Sequence, residues 1–215
     1  MSAREQILRV ALKQMAARGA DATSLRVIAD EVGIRKPSIM YHFENKNALR
    51  QAVLEELLTR WSEVIPKLIV ATAQDGLARF EALTRELIDF FSEDPDRARL
   101  IFREMMDRPV EMQSYLTSYV RPWIKVITEQ IQASSREGDI NPNIDSDAFV
   151  WVMINAVIGN IALSSAFGDA TLTHEQVRTN NNRLTRELVR MAKSSLFHPK
   201  HLINSPTERT ETLNA

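Results

Sequence analysis

The chain of 215 residues contains no cysteine. That excludes disulfides and thiolate metal sites, and it suits a reducing compartment. Glycine is scarce, at six residues, and the eight prolines stand mainly at the edges of segments. No useful stretch alternates apolar and polar residues with period two, which argues against strands. An HExxH pair, a glycine-rich phosphate loop and a Gly-x-Ser-x-Gly elbow are also missing, and with them the marks of zinc hydrolysis, nucleotide binding and serine hydrolysis. The four histidines, His42, His174, His198 and His201, lack a ligand-like cluster, and His198 and His201, close in sequence, fall at the expected tail. No catalytic residue, metal site or cofactor is therefore expected, and the chain is read as a non-enzyme. The opening residues MSAREQILRV are charged and amphipathic instead of forming a signal-peptide apolar block, which points to the cytoplasm.

Hydrophobic residues make up 44% of the chain, an ordinary share for a folded soluble protein. The net charge of −1 hides a division. Residues 1–50 hold nine Lys/Arg against five Asp/Glu, whereas residues 51–215 hold eighteen against twenty-three. A basic head on an acidic body is the electrostatic footprint of nucleic-acid binding. Apolar periodicity predicts an all-α protein of about nine helices. The first runs from Arg4 to Arg18, with Ile7, Leu8, Ala11, Leu12 and Met15 on its apolar face and Gly19 after it. The second runs from Leu25 to Val32, with Thr23 or Ser24 placed to cap it. A short third runs from Lys36 to Phe43, with Pro37 in its first turn. A fourth begins after Asn45 and is expected to stop at Pro66. The body continues with 76–92, 95–107 and 109–137, the last bent at Pro122, and then with 146–167 and 173–196. Domain boundaries are expected at 1–48 for the head and 49–198 for the body, with 199–215 a disordered tail.

The segment from Thr23 to Leu49, TSLRVIADEVGIRKPSIMYHFENKNAL, carries the most specific signal. Two short helices meet at a turn around Gly33. Ile28, Ala29, Val32, Ile34, Ile39 and Phe43 supply a buried side. Arg35, Lys36, Ser38, Tyr41, His42 and Lys46 are left outside. Cations that neutralise phosphates, beside hydroxyls that reach base edges, suit a helix lying in the DNA major groove. The ordered, ungapped set Ile7, Leu8, Ala11, Gly19, Thr23-Ser24-Leu25, Ile28-Ala29, Val32-Gly33-Ile34, Ser38-Ile39, His42-Phe43, Lys46 and Leu49 resembles the N-terminal domain of the TetR (tetracycline repressor) family of transcriptional regulators. Glu137-Gly138-Asp139-Ile140 followed by Asp145 resembles the link before that family's dimerisation helices. Pro37 and Met40 stand where many members carry Gly and Tyr. Tyr41 and His42 would then take over part of that Tyr's phosphate contact. The resemblance implies that Thr23 and Arg26 contact phosphates, that Arg35, Lys36, Ser38 and Tyr41 face the groove, and that His42 and Lys46 hold the DNA backbone.

A single head reads too little sequence, so a two-fold homodimer on a near-palindromic double-stranded operator is expected. The uncharged run 148–168 is the dimer candidate, with Ala148, Val152, Asn155, Gly159, Ala162 and Ala166 as its small-residue stripe. The run is also long enough to invite a membrane reading, but Asn155, Asn160, Ser164 and Ser165 would be costly in lipid, so no membrane partner is expected. In the family, effectors bind among the middle helices of the body. Trp61, Phe102, Met106, Tyr119, Trp123, Trp151 and Asn155 are the expected effector-binding residues, for a small apolar or aromatic molecule. Glu55, Glu56 and Glu104 read as solvated helix faces. The function these features imply is a ligand-responsive transcriptional repressor. The alternative is a DNA-binding regulator with no effector, controlled by a protein partner or by abundance.

Overall fold

A computed structural model of the chain describes residues 2–71, 76–138, 140–167 and 174–197, without the side chains of 63–71, 165–167, 174–181 and 184. The described residues form ten α-helices in order: α1 Ala3–Arg18, α2 Leu25–Val32, α3 Lys36–His42, α4 Lys46–Ala71, α5 Gly76–Glu93, α6 Pro95–Asp107, α7 Pro109–Tyr115, α8 Arg121–Glu137, α9 Ser146–Phe167 and α10 His174–Leu196. A π turn, Leu116–Val120, joins α7 to α8. Together α7, the turn and α8 make the one long bent helix expected, which leaves nine rods. The expected tail, 199–215, and the side chain of Ala166 of the dimer stripe lie outside what is described.

Local chemistry fixes the ends of the head helices. Ser2 and Glu5 form a reciprocal capping box on α1, with amide-to-side-chain bonds of 3.0 and 3.2 Å. Ser24, not Thr23, caps α2 by accepting from the Val27 amide. Gly33 closes α2 in the left-handed region (φ 81°), where a Cβ would be strained. Asn45 caps α4 through the Ala48 amide at 2.9 Å.

Two elements depart from expectation. α4 does not stop at Pro66 but continues to Ala71. A proline removes only one N–H and costs a helix interior about 3 kcal/mol, a penalty that does not end α4 here. The bend before α8 is a π turn, in which the Arg121 amide reaches the Leu116 carbonyl five residues back. The extra residue sits directly before Pro122, whose missing N–H already breaks the regular ladder.

Two apolar clusters hold the molecule. The first joins Ile7, Ala11, Met15, Ile28, Ile39 and Phe43 to Leu49, Val53 and Leu54 of α4, and takes in Leu100 of α6 and Met112 of α7. It therefore crosses the boundary expected at residue 48, and the head is seated on the body. The second fills the body between α4, α5, α6, α8, α9 and α10. By length and hydropathy α9 could cross a membrane (Ser146–Ser164, mean hydropathy 1.5). It packs instead against α5, α6, α8 and α10, as a core helix does.

Candidate nucleic-acid interface and body cavity

α3 is short and turns nearly everything outward. Among Lys36–His42 only Ile39 is buried. Lys36, Ser38, Met40, Tyr41 and His42 are exposed, Tyr41 at 87% of its surface, and Arg35 is exposed just before the first turn. The Tyr41 and His42 rings meet edge to face at 5.2 Å. Ile39 and Phe43 anchor the helix in the head cluster, so the outward face is presented on a rigid base. A helix with one buried side chain and two cations at its start contributes little to a core.

The other expected contacts divide. Arg26 is exposed, with Asp30 at 4.0 Å. Lys46 is half-buried, and its Nζ donates to the Asp21 carbonyl at 2.7 Å. Thr23 departs from expectation. It is 2% exposed, and its hydroxyl donates to the Gly19 carbonyl at 2.8 Å. Carbonyls at the C-terminus of α1 need donors, and Thr23 supplies one instead of offering its hydroxyl to a phosphate. The basic excess of the head is also partly spent within it, since Lys13 pairs with Glu31 at 2.9 Å and Arg50 is buried. Hydrogen bonds from Lys13 and Gln14 hold the Glu31 carboxyl below the usual carboxylate range.

A charged network lies where the head meets the body. Glu104 on α6, read from sequence as a solvated face, is 1% exposed. Its Oε2 accepts from Arg50 Nη1 at 2.5 Å, and its Oε1 lies 3.5 Å from Arg108 Nη1. Arg50 also donates to Glu111 on α7 and, through Nε, to Asn47 at 3.0 Å. Burial alone would lower the Arg50 guanidinium, but its bonds to Glu111 and Glu104 outweigh that and raise it. Arg108 reaches Asp21 in the α1–α2 loop at 2.5 Å. Arg103, one turn back on α6, donates to the carbonyls of Ala16 and Ala17 at the end of α1, at 2.8 and 3.1 Å. The sequence did hold a signal for Glu104. It stands three residues after Ile101 and six after Ala98, both buried, where helical spacing calls for an apolar side chain.

The body holds a half-open apolar cavity of about 110 Å³ between α4, α5, α8, α9 and α10. Trp61, Phe80, Leu87, Ile127, Phe149 and Leu196 are among its walls. Its few polar groups include Thr84, Ser134 and the Arg79–Gln130 pair, bonded at 2.9 Å.

Of the expected effector residues only Trp61 lines this cavity. Phe102 packs on α9, its ring 3.2 Å from where a Cβ on Gly159 would stand. Met106 is 70% exposed. Tyr119 stacks on Tyr115 at 6.4 Å, and Trp151 borders a separate groove with Met105 and Leu116. Trp123 is half-buried and borders none of these spaces. Asn155 is exposed and donates to the Trp151 carbonyl of its own helix at 2.9 Å. For Trp123, on α8, the physical reason is register. One extra residue in the π turn rotates the helix beyond it by roughly 100°. In addition, α9 is apolar all round, so its composition cannot tell its cavity face from its other faces. The dimer stripe splits in the same way. Ala148, Val152 and Asn155 are exposed and Leu163 extends their line, but Gly159 faces Phe102 and Ala162 is buried.

Residues 7–53 match the profile of the bacterial regulatory proteins of the tetR family. Tetracycline repressor protein class C of Escherichia coli is 36% identical over 56 residues, 26% of each chain. The HTH-type transcriptional repressor KstR2 of Mycolicibacterium smegmatis is 27% identical over 154 residues, covering 68% of this chain and 71% of the relative. The solved structure of the ketosteroid transcriptional regulator KstR2 of Mycobacterium tuberculosis superposes with a TM-score of 0.69 at 18% identity, over 92% of this chain and 96% of that one.

Proposed function

Because the chain belongs to the TetR family of transcriptional regulators, we propose that it is a repressor. It would act in the cytoplasm as a homodimer, hold a near-palindromic double-stranded operator and be released by a small apolar or aromatic effector. The observation that carries the DNA reading is α3, with a single buried side chain and Arg35, Lys36, Ser38, Tyr41 and His42 outward. Arg26 and Lys46 flank it as further phosphate ligands. Two such helices would enter successive major grooves about 34 Å apart. The line Ala148, Val152, Asn155 and Leu163 on α9, with exposed Met191 on α10, is uncharged and supports self-association there. Two relatives are themselves named repressors, and a third, FasR of Mycolicibacterium smegmatis, is named an activator.

The cavity supports sensing. Its volume is close to the roughly 150 Å³ of an engineered apolar cavity that binds benzene, which favours a ligand of about one ring. Ligand binding there would shift α5 and α9, and through α6 the head. An effector moves the heads only if it binds the two states with different affinity. Electrophoretic mobility shift on DNA flanking the gene, followed by selection from a random duplex pool, tests the first half. No retarded band at low salt from a folded dimer overturns it. The cavity is also smaller than the roughly 300–1,000 Å³ of drug-sized pockets. That size favours the second reading, in which a protein partner or abundance sets occupancy. Thermal stabilisation by one-ring apolar compounds separates the two, because a ligand specific for the folded state raises apparent stability.

A further inference from the structure

Head and body are joined by the continuous α4, by a shared apolar cluster and by a chain of charged side chains. The charged chain is the one that stability alone does not explain. Replacing a buried ion pair with apolar residues is often neutral or stabilising, and Leu49, Leu54 and Leu100 already close the same seam with apolar packing. Apolar contacts are non-directional and tolerate sliding. A guanidinium held by carboxylates fixes both distance and angle.

We infer that Arg50, Glu104, Arg108 and Asp21 form a strut that sets the angle of the recognition helix relative to the body, as positioning residues for DNA reading. The path is continuous. Glu111 on α7 holds Arg50 on α4, Arg50 holds Glu104 on α6, and Glu104 lies against Arg108. Arg108 holds the Asp21 carboxylate, while the Asp21 carbonyl receives Lys46 at the start of α4. α6 thus grips the head at three points. Glu104 holds α4, Arg108 holds the α1–α2 loop, and Arg103 holds the C-terminal carbonyls of α1. α6 packs in turn on α5 and α9, two walls of the cavity. Displacement of α6 therefore turns the head as one piece and does not slide beneath it. Removing a link leaves the phosphate ligands intact but lets the head sample other angles.

The absence of cysteine permits a direct test on the full chain. Spin labels at Ala3→Cys on α1 and Gln132→Cys on α8, both exposed, report the head–body distance when labelled protein is diluted with unlabelled chain. The unaltered strut gives one narrow distribution. Arg108→Met and Glu104→Gln broaden or shift it. Asp21→Asn, at the solvent-exposed end of the strut, does so in a protein expected to remain folded. Wild-type distributions in variants of unchanged helicity overturn the inference. A second readout rests on the proposed DNA binding and uses the duplex that wild type selects from a random pool. If the competent head angle falls to a tenth of the population, affinity falls about tenfold while the salt slope stays the same. An affinity loss with a reduced slope means a lost phosphate contact and counts against positioning. If wild type selects no duplex, the DNA reading fails, and the distance measurement still decides the strut.

Discussion

The head and the body are built from the same kind of helix, yet they put their chemistry on opposite sides. In the head, Ile39 and Phe43 point inward so that Lys36, Ser38, Tyr41 and His42 point out. In the body, Phe80, Phe149 and Ile127 point inward and themselves line the apolar pocket. An outward function is carried by polar residues on a short helix and stands apart from the core. An inward function is carried by apolar residues that cannot be told from core until they are placed. The charged strut between the two regions belongs to neither pattern, since its charges are buried.

The strut gives the largest expected effect. Arg50→Ala leaves the buried Glu104 carboxylate with only Arg108, 3.5 Å away, and should cost about 3–5 kcal/mol, read as a lowered denaturation midpoint. The double replacement Arg50→Met with Glu104→Met should recover most of that stability and none of the head–body rigidity. Equal loss in the single and double variants would mean that the site needs its charges to fold. The comparison would then reduce to two surfaces on one core.

Next is the body's intolerance of added volume. Gly159 on α9 lies against Phe102, 3.2 Å from a prospective Cβ. Gly159→Val should overpack the α6–α9 contact and cost about 1–3 kcal/mol. A neutral melting temperature would show that the contact yields, and that α6 is not held as tightly as the strut requires. On α3 the same kind of measurement should find the opposite. Lys36→Ala should leave stability within about 0.5 kcal/mol, yet lower the slope of log affinity against log salt by about one.

The same division explains what could be read from the chain without coordinates. The helices of the head were legible because their signals are local. Ser24 and Asn45 are caps, Gly33 takes a positive φ that few other residues accept, and Pro37 begins a helix. The exposure of Tyr41 and Lys36 followed from the same pattern. Thr23 was misplaced because a threonine beside a cap can turn either way, and only the carbonyls of α1 decide which. The cavity was not legible. Trp61, Phe102 and Trp151 are equally apolar, and only the packing of helices far apart in sequence decides which of them borders the pocket. Glu104 lay between these cases. Its position on the apolar stripe of α6 was visible, but its partner Arg50 stands 54 residues earlier, beyond the reach of any local pattern.

The smallest predicted effect lies wholly inside the head and tests whether its rigidity is local. Glu31 on α2 accepts from Lys13 and Gln14 on α1, and these bonds lower its pKa below the ordinary 4.5. A carboxyl whose folded pKa is depressed adds stability at pH values above its unfolded pKa. It loses that contribution as the pH falls through the lower, folded value. Wild type should therefore melt slightly above Glu31→Gln at neutral pH, and the difference should close as the pH falls through the lowered folded value. The pair is partly exposed and screened by solvent, so the gap should be small and should shrink with added salt. If the gap instead persisted in acid, the α1–α2 tie would depend on the shape of the side chain and not on its charge. The α1–α2 tie would then rest on the apolar packing of Ile7, Met15 and Ile28, and charge would set geometry only where head meets body.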